Sequence, residues 1–171
     1  MGVDDGSVML AAEGGKTVSF SGNRVRSIHG QPSGAYSVVE WVSEPGISGT
    51  LLHIHGATDE AFYVPEGTFG FRAGERTFEG APGAFVFVPK GLEHAYWNEG
   101  ATPARMLITI SPPGFKRYFE ELAEGLAAAG DDAEAAMRVR KALSEKYDIE
   151  VVGPPSSGSS GRRFRGVCVR P

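Results

Sequence analysis

The chain has 171 residues, enough for one domain that buries roughly two-thirds of its unfolded surface. Its 41% hydrophobic and 22% charged content is that of a soluble globular protein, and 24 Gly with 11 Pro favour short strands and tight turns over a helical bundle. The net charge of −4 is uneven: residues 1–152 carry 13 Lys and Arg against 21 Asp and Glu, and the last 19 residues add four Arg and no acid, so the folded part is acidic and unsuited to nucleic acid.

Residues 1–16 are small and polar around a weak apolar patch at Val8–Leu10, and they are expected to form a flexible arm. The opening "MGVDDGSVMLAAEGG" has neither the basic start nor the apolar segment of a signal peptide, and Gly6 stands where myristoylation wants Ser or Thr. From 17 to 111 the texture is short β-type runs: "AYSVVEWV" (35–42), "GTLLHIH" (49–55), "AFYVPEG" (61–67), "TFGFRAG" (68–74), "AFVFVP" (84–89) and "ARMLITI" (104–110). The pairs "EG" at 66–67 and "GE" at 74–75 look like hairpin turns. Regular short strands of this kind predict a closed or double-sheet all-β architecture over 17–111.

After Ser111 the period changes. "SPPGFKRYFEELAEGLAAAG" places Phe115, Phe119, Leu122 and Leu126 at helical spacing, with Gly130 as a stop. Asp131 or Asp132 then caps a second helix that carries Ala135, Val139, Leu143 and Tyr147 on one face, with Glu134 and Arg138 paired outside. This segment, 112–152, is expected to cover the β-domain or a partner subunit. The stretch "GPPSSGSSGRRFRGVCVRP" (153–171) shows no core-forming periodicity and is read as a disordered tail without function. Its Cys168 is the chain's one cysteine, which excludes an intramolecular disulfide. No apolar run approaches the roughly 18 residues of a spanning helix, so the expectation is a cytoplasmic protein with no membrane partner.

The chemistry concentrates in "LLHIHGATDEAFYVPEG" (51–67). On a strand, residues i and i+2 share a face, so His53 and His55 project together while Leu52 and Ile54 point the other way. Glu60 opens the next β run, and His94 follows "FVPKGLE". A metal site, a catalytic base with a neighbour and an accident of core packing are the competing readings. Imidazole and carboxylate together suit Ni, Mn, Fe, Co, Cu or Zn. Three His and one Glu would leave coordination positions open, as catalytic sites do and closed structural sites do not. His29, alone in "VRSIHG", is read as structural.

The spacings extend beyond the ligands. Gly46, His53-Ile54-His55, Glu60 and Gly67 form one set; Gly83, Pro89-Lys90-Gly91, His94 and Asn98 form another. On these residues the chain resembles the cupin superfamily, with one departure: six residues separate Gly46 from His53 where five are usual. The resemblance implies an all-β fold, a cupin jelly-roll β-barrel (double-sheet) with a C-terminal pair of short α-helices. It also implies one divalent transition metal held by His53, His55, Glu60 and His94. Gly67 and Gly91 fall where turns need positive φ, and Asn98 can bind a turn or a bound group.

Two further stretches, "LITISPPGFKRYFEELAE" (107–124) and "LSEKYDIEVVGPP" (143–155), resemble the helical tail of small cupins of the quercetin 2,3-dioxygenase type. That likeness implies a dioxygenase acting on a flavonol-like or other enolic or phenolic molecule, with dioxygen as a partner and Glu60 as both ligand and base. Burial would raise the pKa of Glu60 and a cation would lower it, a balance left open. The alternatives are a non-oxidative isomerase, cyclase or lyase, and a small-molecule binding or sensing module. Tyr36, Phe62, Phe87, Tyr96 and Met106 are the expected pocket walls, although strand alternation leaves open which of Phe85/Val86 and Phe87/Val88 face inward. A homodimer is expected, as is common among cupins.

Overall fold

The protein is described by a computed structural model over residues 9–155, apart from 13, 31–33 and 48. The tail from 156 onward and most of the Val8–Leu10 arm's approach (1–8) lie outside the described residues. In chain order the elements are β1 (Lys16–Phe20), β2 (Asn23–Gly30), β3 (Ser37–Ser43), β4 (Leu51–His55), β5 (Asp59–Glu66), β6 (Phe69–Ala73), β7 (Arg76–Gly80), β8 (Phe85–Val88), β9 (His94–Asn98) and β10 (Ala104–Ser111). Then come α1 (Phe115–Ala129), α2 (Ala133–Lys146) and β11 (Ile149–Pro155).

The strands form two antiparallel sheets, β1-β2-β3-β10-β5-β8 and β11-β4-β9-β6-β7. This corrects the expected all-β barrel. From β3 to β6 and again from β8 to β10, each successive strand enters the opposite sheet, and no ladder joins the two layers, so they face one another without closing into a barrel. With two full helices packed alongside, the fold is mixed α/β and not all-β. The connection at Gly67 shows why the hairpin expected there does not form. Glu66 ends a strand of one sheet and Phe69 begins a strand of the other. Gly67 has φ 75°, and a Cβ on it would lie 2.5 Å from Ala104 Cβ, so the crossing needs glycine. The turn at 74–75 is a true two-residue hairpin, pairing Ala73 with Arg76.

Alternation builds the core between the layers. Ala104, Met106, Ile108 and Ile110 of β10, Phe62 and Val64 of β5, and Val39 and Trp41 of β3 point inward and are buried. On β8 the inward pair is Val86 and Val88, while Phe85 and Phe87 face out at 67% and 57% exposure beside the exposed Tyr63.

The helices follow from their stripes. Phe115, Phe119 and Leu122 of α1 are buried, and the Phe119 ring meets Trp41 of β3 with centroids 6.0 Å apart. α2 lies against α1 where Gly125 admits the Val139 side chain; a Cβ there would be 2.5 Å from Val139 Cγ1. Asp132 is the cap, its Oδ1 accepting from the backbone N–H groups of Glu134 and Ala135 at 2.9 Å each. Asp132→Ala should therefore cost about 1 kcal/mol, read as a lowered urea midpoint at unchanged slope. An unchanged midpoint would show the cap to be idle.

Gly153–Pro155, expected to begin a disordered tail, instead complete β11, which pairs with β4. The C-terminal segment thus covers the edge of the strand that carries His53 and His55.

Candidate metal centre

Three strands from the two sheets supply the four ligands expected from the sequence. His53 and His55 project from one face of β4, His94 sits directly across the ladder from His53 on β9, and Glu60 faces them from β5 in the opposing sheet. One potential ligand atom from each of the four lies within 4.8 Å of every other. The imidazole centroids are 4.8 Å (His53–His55), 4.3 Å (His53–His94) and 5.4 Å (His55–His94) apart. His55, Glu60 and His94 are buried and His53 is half-buried.

Backbone carbonyls orient two of the rings. Leu51 O accepts from His53 Nδ1–H at 2.7 Å and Leu92 O accepts from His94 Nδ1–H at 3.1 Å, which leaves each Nε2 with its lone pair. The backbone N–H of Gly91 donates to His55 O at 2.8 Å, tying the turn before β9 to β4. Gly91 has φ 81°, as expected for a turn that needs glycine. His55 Nδ1 is buried with no hydrogen-bond partner among the described residues, and its Nε2 is 3.6 Å from Glu60 Oε2.

A cation fits this arrangement. Glu60 Oε2 and His94 Nε2 are 2.8 Å apart. Both are acceptors when His94 is neutral with its proton on Nδ1, so a proton or a positive ion must lie between them. No Lys or Arg among the described residues pairs with Glu60. Transition-metal bonds to these donors run ~2.0–2.2 Å, which puts opposite ligands roughly 4.2 Å apart, close to the observed spread. One carboxylate and three neutral imidazoles can therefore hold a divalent metal, whose identity the donor set leaves open.

The electrostatics agree. Burial, with the neighbouring imidazoles, depresses the pKa of His53 to about 3, and burial lowers that of His55 as well, so these rings are neutral ligands at neutral pH. Burial pushes Glu60 up, but the hydrogen bond it shares with His94 and the electrostatic influence of His55, His94 and His53 outweigh it, and the net shift is downward. The carboxylate is ionised.

The cluster opens onto a cavity of about 690 Å³, a volume suited to a small organic molecule. His53, His55, Glu60 and Tyr96 form one wall, Phe20 and Trp41 another, and Phe115, Tyr118, Phe119 and Leu122 of α1 a third. Phe115 meets the His55 ring edge-on at 4.9 Å. Burial holds both phenols in their protonated form, raising Tyr96 well above its usual value and Tyr118 to about 12.

Residues 39–110 match the family described as "Cupin domain". Set beside the two facing sheets, this decides the fold. It is a cupin. KdgF from a Halomonas species is 17% identical and superposes with a TM-score of 0.59, over 65% of this chain and 98% of that one. Pac13 from Streptomyces, described as a nucleoside dehydratase, is 16% identical with a TM-score of 0.52, over 65% of this chain and 87% of its own. A sugar phosphate isomerase of the cupin superfamily from Silicibacter pomeroyi is 24% identical with a TM-score of 0.48, over 53% of this chain, which spans 59% of its length. No curated protein matches.

The quercetinase-like expectation is corrected here: no structure named above is described as a dioxygenase, and Pac13 is described as a dehydratase.

Of the five expected pocket walls, Tyr96 lines the cavity. Phe62 and Met106, both 0% exposed, lie in the core behind it, and Phe87 faces solvent because β8 turns Val86 and Val88 inward. Tyr36 is 46% exposed and packs on His29, 5.5 Å away between centroids, so neither joins the centre. Asn98 serves a turn: its Nδ2 donates to Ser43 O and Thr102 O and its Oδ1 accepts from Gly100 N. The walls contributed by α1, α2 and β11 were missed. Their one signal was the aromatic run Phe115, Tyr118, Phe119, which shares a helix face at i, i+3, i+4.

Proposed function

We propose that the protein is a metal-dependent cupin enzyme that isomerises, dehydrates or cleaves a small hydroxy-carbonyl compound without consuming dioxygen. The observation that carries this reading is Glu60: a buried, ionised carboxylate on the cavity wall, in contact with His94 and close to His55. Elimination and enolisation both need a base beside the reacting carbon, and a carboxylate in a water-poor cavity performs that task. A bound divalent metal would polarise a carbonyl or hydroxyl oxygen. Glu60 would take the proton, His94 would hold that carboxylate in place, and the Phe115 and Phe119 rings would keep bulk water away. The nucleoside dehydratase that shares the fold is a precedent at the level of fold.

The experiment is anaerobic. Zinc-loaded protein is incubated under strict anoxia in D2O with a panel of sugars, nucleosides and 2-hydroxy acids, followed by NMR and mass spectrometry. Deuterium at a carbon next to a carbonyl, or loss of water, is the expected result. Tight binding with neither exchange nor elimination across the panel would make this a binding module and end the proposal.

A further inference from the structure

We propose that the substrate carries an anionic group, a carboxylate or a phosphate, which Arg140 of α2 receives inside the cavity. The inference deepens the enzymatic reading above and rests on it for the word substrate, though not for the anion. Arg140 lines the same cavity as the metal centre but from another wall. It is half-buried, and its Nη2 donates to Ser21 Oγ at 3.2 Å. Among the described residues no carboxylate lies within ion-pair distance of it, whereas Arg26, Arg72, Arg105, Arg117 and Arg138 each have one. A guanidinium offers five donors in a planar fork, so one bond to a hydroxyl leaves most of them to a ligand.

The surroundings are built for such a role. Met137, Arg140 and Ser144 are at i, i+3 and i+7 on α2, one continuous stripe turned to the cavity. Across from them Ser21 and Asn23 belong to the β1–β2 turn, where Ser21 and Gly22 both take positive φ (48° and 74°) and Phe20 pairs with Asn23. The cavity lining also includes Phe20, Trp41, Phe119 and Leu122 together with the Tyr118 phenol. In a domain whose described charge is predominantly acidic, a cation lining an apolar cavity without an acid partner selects an anion. The matching ligand has a flat or apolar body against Trp41 and Phe119, an oxygen at the metal end and a charged head at Arg140.

Three probes test this: 2-naphthoate, 2-naphthyl phosphate and 2-naphthylmethanol share one ring system and differ in the head group. Each is titrated by calorimetry into full-length, metal-loaded protein and into the variants Arg140→Gln and Arg140→Lys, with metal content measured for all three. The anions should bind the wild type roughly 10- to 100-fold tighter than the alcohol, the scale of a charge-assisted hydrogen bond. Arg140→Gln should erase that advantage while leaving alcohol affinity and metal content unchanged, and Arg140→Lys should restore part of it. The anion with the larger advantage identifies the head group. Equal affinity for the three probes, binding of none, or a Gln variant that weakens the alcohol as much as the anions would overturn the proposal. A wild type that holds no metal would instead remove the enzymatic reading and leave the probe comparison intact.

Discussion

His94→Ala is expected to cost the protein its metal and to weaken the acid dependence of its metal-free stability. His94 offers Nε2 at the centre of the cluster, across the ladder from His53 and 2.8 Å from Glu60. Loss of groups that merely orient ligands lowers metal affinity roughly 10- to 100-fold, so removal of a ligand should exceed about 100-fold. Competition of zinc against a chromophoric chelator measures it. The second effect follows from Glu60. In the wild type its folded pKa is depressed, so its contribution to stability is present above the ordinary carboxylate range and is lost as pH falls through the folded value. The hydrogen bond from His94 is the first of the causes that oppose burial there. Without it burial is opposed only by His55 and His53, so the folded pKa moves back upward and less stability is lost as pH falls. Urea denaturation of both metal-free proteins between about pH 4 and 7 should give a shallower dependence on pH for the variant. Parallel slopes together with undiminished zinc affinity would sink the account of the centre.

Phe62→Ala should remove 3–5 kcal/mol, roughly a third to a half of what a domain of this kind has to spare. Phe62 is fully buried two residues beyond Glu60 on β5, so its ring points into the same interior. It packs on Phe71 and Tyr96 with centroids 5.6 and 5.3 Å away, and on His94 at 6.3 Å. The truncation leaves a hole beneath the metal centre, and the stiff facing sheets can collapse into it only in part. Thermal unfolding should fall by roughly 10 °C. Because the hole lies beside His94, zinc should recover less stability for the variant than for the wild type. A variant that melts within a degree or two of wild type would mean that Phe62 does not support the site.

These effects show which features were written locally. The ligand set was legible because it depends on short-range rules. Alternation puts His53 and His55 on one side of β4, and the turn residues Gly67, Pro89 and Gly91 fix where neighbouring strands stop. The helices were legible for the same reason, since Phe115, Phe119 and Leu122 bury the stripe that their spacing implies.

What failed was long-range or depended on a one-residue choice. Phe87 and Val88 are both apolar, so sequence offers no contrast between inner and outer faces, and only the pairing of β8 with β5 turns the valines in. The turn at Gly67 has hairpin chemistry, yet the strand after it pairs in the other sheet. Gly153–Pro155 have no β-type pattern and become strand residues because β4 presents an open edge. Arg140 is one of several arginines along the chain, and nothing local marks it as the one without an acid partner that lines the cavity.

The sequence by itself therefore determined the metal-binding donor set, the short-strand character of 17–111 and the two amphipathic helices, because each rests on period, turn chemistry or ligand type within a few residues. The tertiary structure alone decided that the sheets stay open and that helices and a C-terminal strand wall the cavity. It also decided that Arg140 lines the same cavity as Glu60. Those outcomes depend on which distant surfaces meet, and burial energy summed over whole layers selects that pairing, not any local residue pattern.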